Sequence, residues 1–228
     1  MKIGGFLPFS LIDYPGYISA VVFTQGCNFR CPYCHNPELV DPMRYGECIG
    51  EGVILSFLEK RRGRLDGVTI TGGEPTVHGS LPALIRTIKE MGYAVKLDTN
   101  GTNPEMLQDL IAANLIDYIA MDVKGPLALY SRIAGVPVAL NDIRRSISMI
   151  IRASCAHEFR TTVVPDLMDE EDIRQTATLV QGAHAYVLQP FQPDKTLDGR
   201  FSALKPPTEA RMEFLKGCLT GGAAIHVR

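Results

Sequence analysis

The chain has 228 residues, of which 46% are hydrophobic and 21% charged, with a formal net charge of −2. That is the make-up of a soluble globular protein long enough to bury a core as one domain, expected to span residues 1–228. The near-neutral charge excludes nucleic-acid or anionic-membrane binding driven by bulk charge, and no apolar run approaches the roughly 18 residues of a membrane span. The opening Met1-Lys2-Ile3-Gly4-Gly5-Phe6 lacks the apolar stretch of a secretion signal. Six cysteines, three of them packed together, do not make a secreted disulfide framework in a chain this long. Cys48, Cys155 and Cys218 read as free thiols, the last two as buried small hydrophobes. The expected compartment is cytoplasmic and reducing.

Short β-rich runs alternate with longer helical patterns, without internal repeat or linker. Residues 18–24 form a first buried strand, and a cysteine-rich loop follows its carboxyl end. A helix is expected over 53–62 and a strand over 67–71, which ends in Gly72-Gly73-Glu74-Pro75. Ser80 caps the next helix, with Pro82 in its first turn, running to about residue 91. A strand over 94–98 leads into Thr99-Asn100-Gly101 and a helix over 104–113. The strand over 117–122 runs into Val123-Lys124-Gly125. Asn141 or Asp142 caps a helix ending near 152, and residues 158–164 are the fifth strand. The acidic run 169–172 suits a helix N-terminus, where it meets the macrodipole. Residues 185–189 are the sixth strand, 209–219 the last helix, and 223–227 a terminal strand or tail.

This alternation implies parallel strands joined by right-handed crossovers. Six βα units are fewer than a closed eight-unit barrel needs. An open doubly wound sheet and a partial barrel both satisfy the periodicity. Polar motifs follow five or six successive strands, and that favours the barrel, whose βα loops build one site at the carboxyl face.

In the first of these loops, Gly26-Cys27-Asn28-Phe29-Arg30-Cys31-Pro32-Tyr33-Cys34-His35-Asn36, three cysteines stand at C-x3-C-x2-C spacing. Thiolates suit soft centres, zinc or iron–sulfur clusters. A closed site of either kind wants four protein ligands, so three leave one position open for something other than protein. His35 is the only obvious local group that could close it. His78, His157, His184 and His226 show no metal-ligand spacing with one another.

The later motifs carry polar groups at strand ends. Gly72-Gly73-Glu74-Pro75 read by itself is a tight βα turn, but its glycines also allow close approach to a ligand and its carboxylate could hold an ammonium group. Leu97-Asp98-Thr99-Asn100-Gly101 places an acid and an amide at a strand end, although Asn-Gly is a turn signal in its own right. Asp122 and Lys124 stand two apart just past a strand; as a surface ion pair they would contribute little. Ile12-Asp13-Tyr14-Pro15-Gly16 precedes the first strand and reads first as a turn.

Taken together these segments resemble the radical S-adenosylmethionine (SAM) enzymes, which use C-x3-C-x-aromatic-C, with Tyr33 as the aromatic. The resemblance implies a partial (β/α)6 TIM-like barrel of the radical SAM type. It also implies a [4Fe–4S] cluster on Cys27, Cys31 and Cys34, with the SAM amine and carboxylate on the fourth iron. Gly72, Gly73 and Glu74 match the motif that binds the methionyl amine, and His35 becomes a residue of the SAM pocket. The segments Asp13 to Gly16, Gln25-Gly26-Cys27, Tyr33 to Asn36, Asp98 to Gly101 and Asp122 to Lys124 are similar to the glycyl-radical-enzyme activating group, including the activators of pyruvate formate-lyase and anaerobic ribonucleotide reductase. That likeness extends SAM contacts to Asp98, Asn100, Asp122 and Lys124, and a monovalent cation to a nearby acid. Arg160 and Gln192 match more loosely; Gln192 replaces a histidine of the pyruvate formate-lyase activators and favours the ribonucleotide-reductase type. No cysteine-rich insert lies between Cys34 and Gly72 apart from Cys48, so one cluster per chain is expected.

The implied activity is reductive cleavage of SAM to a 5′-deoxyadenosyl radical, which takes a hydrogen atom from a glycine of a partner enzyme. The implied partners are a glycyl-radical enzyme, of the anaerobic ribonucleotide reductase kind, and a flavodoxin or ferredoxin-type reductant, with neither nucleic acid nor membrane. Two alternatives stay open: a radical SAM enzyme acting on a small molecule or nucleoside precursor, and a structural or electron-transfer metal module.

Overall fold

The computed structural model describes residues 1–219 and 224–228. Its strands follow one another in chain order within one sheet, β1 (Ile3–Ser10), β2 (Ser19–Thr24), β3 (Gly67–Gly72), β4 (Ala94–Thr99), β5 (Tyr118–Asp122), β6 (Ala156–Val163), β7 (Ala185–Pro190) and β8 (Ala224–Val227). β2 pairs parallel with β3 and β3 with β4, and β6 pairs parallel with β7 and β7 with β8. The chain divides into two compact units. The first comprises residues 1–28, 38–99 and 105–119; the second comprises 29–37, 100–104 and 120–228.

In the first unit, β2 is Ser-Ala-Val-Val-Phe-Thr, buried along nearly its whole length, as a strand covered on both faces must be. α2 (Glu51–Glu59) buries Ile54 and Leu58, and Tyr93 Oη donates to the Leu58 carbonyl at 2.7 Å. α3 (Leu81–Glu90) buries Leu81, Leu84, Ile85 and Ile88, an i, i+3, i+4, i+7 stripe that faces inward. Pro82 lies in its first turn as expected, but the Ser80 side chain makes no cap bond, because its backbone is already helical rather than extended. α1 (Pro37–Val40) and α4 (Pro104–Ala112) complete the helices before β5.

β1 is absent from the sequence-based reading. Gly4, Gly5 and Pro8 argue against a strand, yet the segment runs antiparallel to β2 with Ile3 opposite Thr24, Phe6 opposite Val22 and Ser10 opposite Ser19. Both features fit an edge: Pro8 needs no donor on the open side, and a Cβ on Gly4 would stand 2.6 Å from Leu39 Cδ2.

In the second unit, α5 (Tyr130–Ala134) ends at Gly135 in the left-handed region. α6 (Leu140–Arg152) is capped by Ala139, not by Asn141 or Asp142, which fall inside its first turn. Ala139 is extended (φ −73°, ψ 90°), so the helix starts two to three residues earlier than the polar side chains suggest. α7 (Glu170–Leu179) opens with the expected acids, Asp169 and Asp172 forming a reciprocal capping box. α8 is Glu209–Gly217, and β8 supplies the terminal strand, with residue 223 outside the described set. All six cysteines are free thiols; Cys48 is exposed, and Cys155 and Cys218 are only half-buried, because they sit in a loop before β6 and at the end of α8. Among the described residues no helix is long and apolar enough to cross a membrane.

His157 and His184 stack with ring centroids 4.0 Å apart, and the backbone N–H of His184 donates to His157 Nε2 at 3.2 Å. Burial, and then the neighbouring His184, lower the His157 pKa below its ordinary 6.5. The unfolded chain therefore takes up this proton at a higher pH than the folded one. The contribution is complete above the unfolded value and is lost as pH falls below it. Chemical denaturation between pH 7 and 5 should show stability declining with acid, and His157→Gln should flatten part of that slope. An unchanged slope would contradict this origin.

Candidate functional site

The site residues of the first unit are set by backbone packing at the end of β3. Gly72 has φ +112°, and a Cβ there would stand 2.4 Å from Thr24 N. A Cβ on Gly73 would stand 2.1 Å from the Gly26 carbonyl oxygen. Three backbone bonds hold the strands in this approach: Gly73 N–H to Thr24 O at 2.8 Å, Glu74 N–H to Gly26 O at 2.8 Å, and Gly26 N–H to Leu39 O at 2.8 Å. The turn of Gly72 and Gly73 is thus fastened to the residue that precedes Cys27. Only glycine fits there.

Glu74 is 1% exposed. Its Oε1 accepts from Thr76 N–H at 3.0 Å, Thr76 Oγ1 at 2.6 Å and Thr99 Oγ1 at 2.8 Å. Three donors on one oxygen fix the direction of the carboxylate. Sequence reading found Glu74 but missed Thr76 and Thr99, whose hydroxyls carry no spacing signature. Asp98, at the end of β4, is salt-bridged by Lys96, an ammonium on a side chain 2% exposed. Lys96 Nζ also lies 5.9 Å above the Tyr118 ring. Lys96 was likewise missed: the expected strand over 94–98 already puts it on one face with Asp98, but a lysine inside a strand carries no signature of its own until its ion pair is seen.

The second unit gathers Cys31, Tyr33, Asp122, Lys124 and Arg160. Arg160 Nε donates to Asp122 Oδ1 at 2.9 Å and Lys124 Nζ to Asp122 Oδ2 at 3.1 Å, so one carboxylate bridges two cations. Burial alone would raise the Asp122 pKa, but Arg160 and Lys124 outweigh it and hold the carboxyl well below the usual range. The Asp122 side chain is still 35% exposed, which keeps the stability contributed by the bridge small. The Cys31 thiol is pushed up to about 11, chiefly by burial and against the pull of Lys124. A metal's positive charge reverses that balance and deprotonates a coordinating thiol outright.

The cysteine loop is pinned within this unit. Arg30 N–H donates to Ala134 O at 2.8 Å, a Cβ on Gly135 would stand 2.2 Å from the Arg30 carbonyl oxygen, and Asp198 N–H donates to Pro32 O at 2.9 Å. Asn100 is 5% exposed, and its Oδ1 accepts from Thr102 N–H at 3.1 Å and Thr102 Oγ1 at 2.7 Å, which closes the turn after β4. His35 and Gln192 are exposed. Cys27 belongs to the first unit, Cys31 and Cys34 to the second. Among the described residues no three His, Cys, Asp or Glu side chains converge as ligands of a single metal ion. A cubane cluster takes each thiolate on a different iron, so its ligands need not converge on one point. Three free thiols on a short loop, with a cationic neighbour beside Cys31, have the donor chemistry that a cluster requires.

A parallel βα fold with thiols after β2, a carboxylate after β3 and a cation-bridged acid after β5 defines a cofactor enzyme of the radical SAM kind. Residues 21–180 match the Radical SAM superfamily. A Methanocaldococcus jannaschii protein, provisionally named a glycyl-radical enzyme activating enzyme, is 37% identical over 219 residues, covering 93% of this chain and 89% of that protein. A 7-carboxy-7-deazaguanine synthase from Thermococcus kodakarensis is 27% identical over 187 residues, covering 74% of this chain and 72% of its own. The crystal structure of Streptococcus suis SuiB bound to S-adenosylmethionine shares the fold with TM-score 0.72 at 13% identity, over 91% of this chain and 49% of that one. The chain belongs to the radical SAM superfamily. Its fold class is the partial (β/α)6 TIM-like barrel of that family, and its chemistry is that of a SAM-dependent enzyme with a [4Fe–4S] cluster.

Gly73→Ala should force the β3 turn away from Gly26 and destabilise the protein by about 1–3 kcal/mol, the usual cost of overpacking. Thr99→Val should cost about 1 kcal/mol through the lost bond to Glu74. Urea denaturation reads both, and an unperturbed Gly73→Ala midpoint would contradict the contact.

Proposed function

We propose that this enzyme activates a glycyl-radical enzyme, with Cys27, Cys31 and Cys34 as the cluster ligands. The supporting observation is the 37% identity, across 93% of the chain, to a protein named for that activity. When bound, the reduced cluster and SAM supply a 5′-deoxyadenosyl radical that abstracts a hydrogen atom. Glu74, its carboxylate held by Thr76 and Thr99, would bind the methionyl ammonium. Lys124 and Arg160, ordered by Asp122, would meet the SAM carboxylate or ribose. Tyr33 and His35, flanking Cys34, would line the pocket, as would Gly72, Gly73, Asp98, Asn100 and Gln192. A monovalent cation at Asp98 would share its carboxylate with Lys96, which already neutralises it, so the proposal does not require one. The radical step needs no general acid or base; the protein's part is to orient the reactants and keep water out. The partner is proposed to be a glycine-bearing enzyme of the anaerobic ribonucleotide reductase kind, and the electron donor a flavodoxin or ferredoxin.

The similarity to 7-carboxy-7-deazaguanine synthases favours a second reading, in which the hydrogen donor is a small heterocycle. The two readings differ only in where the hydrogen comes from. Incubating the reduced, cluster-loaded enzyme with SAM and a candidate glycyl-radical enzyme should produce the electron paramagnetic resonance doublet of a Cα glycyl radical. Cys31→Ala should abolish both the doublet and SAM cleavage. Turnover of a small heterocycle with no glycyl radical in any partner would overturn the activating role.

A further inference from the structure

Among the described residues Lys96 is the one buried lysine, 2% exposed in the middle of β4. The parallel register sets it beside Thr69 of β3, itself fully buried. Its Nζ is salt-bridged to Asp98 and lies 5.9 Å above the Tyr118 ring. That ring is held in turn. Tyr14, 2% exposed, meets it edge-on with centroids 5.9 Å apart at 63°, and Tyr14 stacks on Tyr17 at 4.4 Å. Tyr14 belongs to the turn before β2, so that turn supports the ring on which the ammonium rests. A buried ammonium is costly away from an anion. Asp98, two residues on along the same face of β4, supplies the anion. Its side chain is 13% exposed, so the pair sits largely out of water. Moving the ammonium away would strip Asp98 of its counter-charge and uncover the Tyr118 face. The positive charge is therefore a built part of the strand end.

An acid that faces the carboxylate of a ligand needs a positive charge between the two. A protein can take that charge from solution as an alkali-metal ion, or carry it on its own chain. At Asp98 the chain carries it: the Lys96 ammonium has the same single charge as Na+ or K+ and bonds the carboxylate directly. The monovalent cation that the family resemblance implies does not fit beside it, because the ammonium would repel a second positive charge on the same acid. We propose that the Lys96 ammonium is a tethered substitute for an exchangeable monovalent cation at Asp98, so that this enzyme binds SAM with equal affinity whichever alkali-metal ion is present. The proposal rests on Asp98 belonging to the SAM site. Tethering fixes where the charge stands and removes the entropic cost of capturing an ion with each ligand. Lys96 is then a positioning residue, acting on SAM through Asp98.

The test is the SAM affinity of the reconstituted full chain, read by equilibrium dialysis in the chloride salts of Na+, K+ and tetramethylammonium at one ionic strength. Tetramethylammonium is bulky and has no N–H to donate, so it reports the site without a small cation. Wild type should bind SAM equally in all three salts. Lys96→Met should bind weakly in tetramethylammonium and recover about five- to tenfold in Na+ or K+, within the usual range of coupling between two bound ligands. The pair Lys96→Met with Asp98→Asn orphans no charge and should lose the salt response, with circular dichroism confirming the fold of each variant. Tighter wild-type binding in Na+ or K+ would overturn the proposal and leave the SAM site standing, even if Lys96→Met failed to fold. So would a Lys96→Met chain that binds SAM like wild type in every salt, or a salt response that persists in the paired variant. A wild-type chain that binds SAM in none of the salts would remove the SAM-site reading, and the proposal with it.

Discussion

The absence of a side chain at Gly73 lets the turn after β3 lie directly on the Gly26 carbonyl, where a Cβ would be 2.1 Å from oxygen. Three main-chain hydrogen bonds, to Thr24, Gly26 and Leu39, then join the end of β2, the turn after β3 and α1. Because the next residue on one side is Cys27 and on the other Glu74, the first thiolate and the first carboxylate are indexed to each other through backbone alone. Backbone contacts have no rotamers to lose, so this part of the site is ordered before any ligand arrives. In the second unit Gly135 does the same work against the Arg30 carbonyl.

Charge is distributed on this frame in two different ways. Glu74 Oε1 accepts from one backbone N–H and two hydroxyls, which orient the carboxylate. Asp98 and Asp122 are paired with lysine and arginine, and act through those partners rather than as free carboxylates. Asp122 in particular orders two cations with one side chain. Cys31, whose thiol burial disfavours as a thiolate, sits where a metal would supply the missing positive charge.

Much of this was legible in the sequence, for identifiable reasons. The strands β2 to β7 are apolar runs closed by polar turns, and the chemistry-bearing motifs follow those runs immediately, so periodicity alone placed Cys27, Glu74, Asp98 and Asp122 at strand ends. What was missed depends on contacts across the chain. β1 is disguised by two glycines and a proline, which suit an edge strand only when β2 is already there to pair with it. Thr99 reaches Glu74 across 25 positions, and Tyr130 meets the cysteine loop through Phe29. A threonine or tyrosine carries no signature until folding gives it a neighbour. The cap of α6 was misplaced because Ala139 is extended by its backbone rather than marked by its side chain.

The central claim is that three cysteines of this loop hold one cluster that SAM can approach. The direct measurement is anaerobic reconstitution with iron and sulfide, reduction with dithionite, and addition of SAM, read by iron content, electron paramagnetic resonance and product chromatography. About four irons per chain, a [4Fe–4S]+ signal that changes on SAM addition, and 5′-deoxyadenosine among the products are the expected result. Bound zinc, or a cluster whose spectrum ignores SAM and yields no 5′-deoxyadenosine, would contradict it and leave a structural or electron-transfer module.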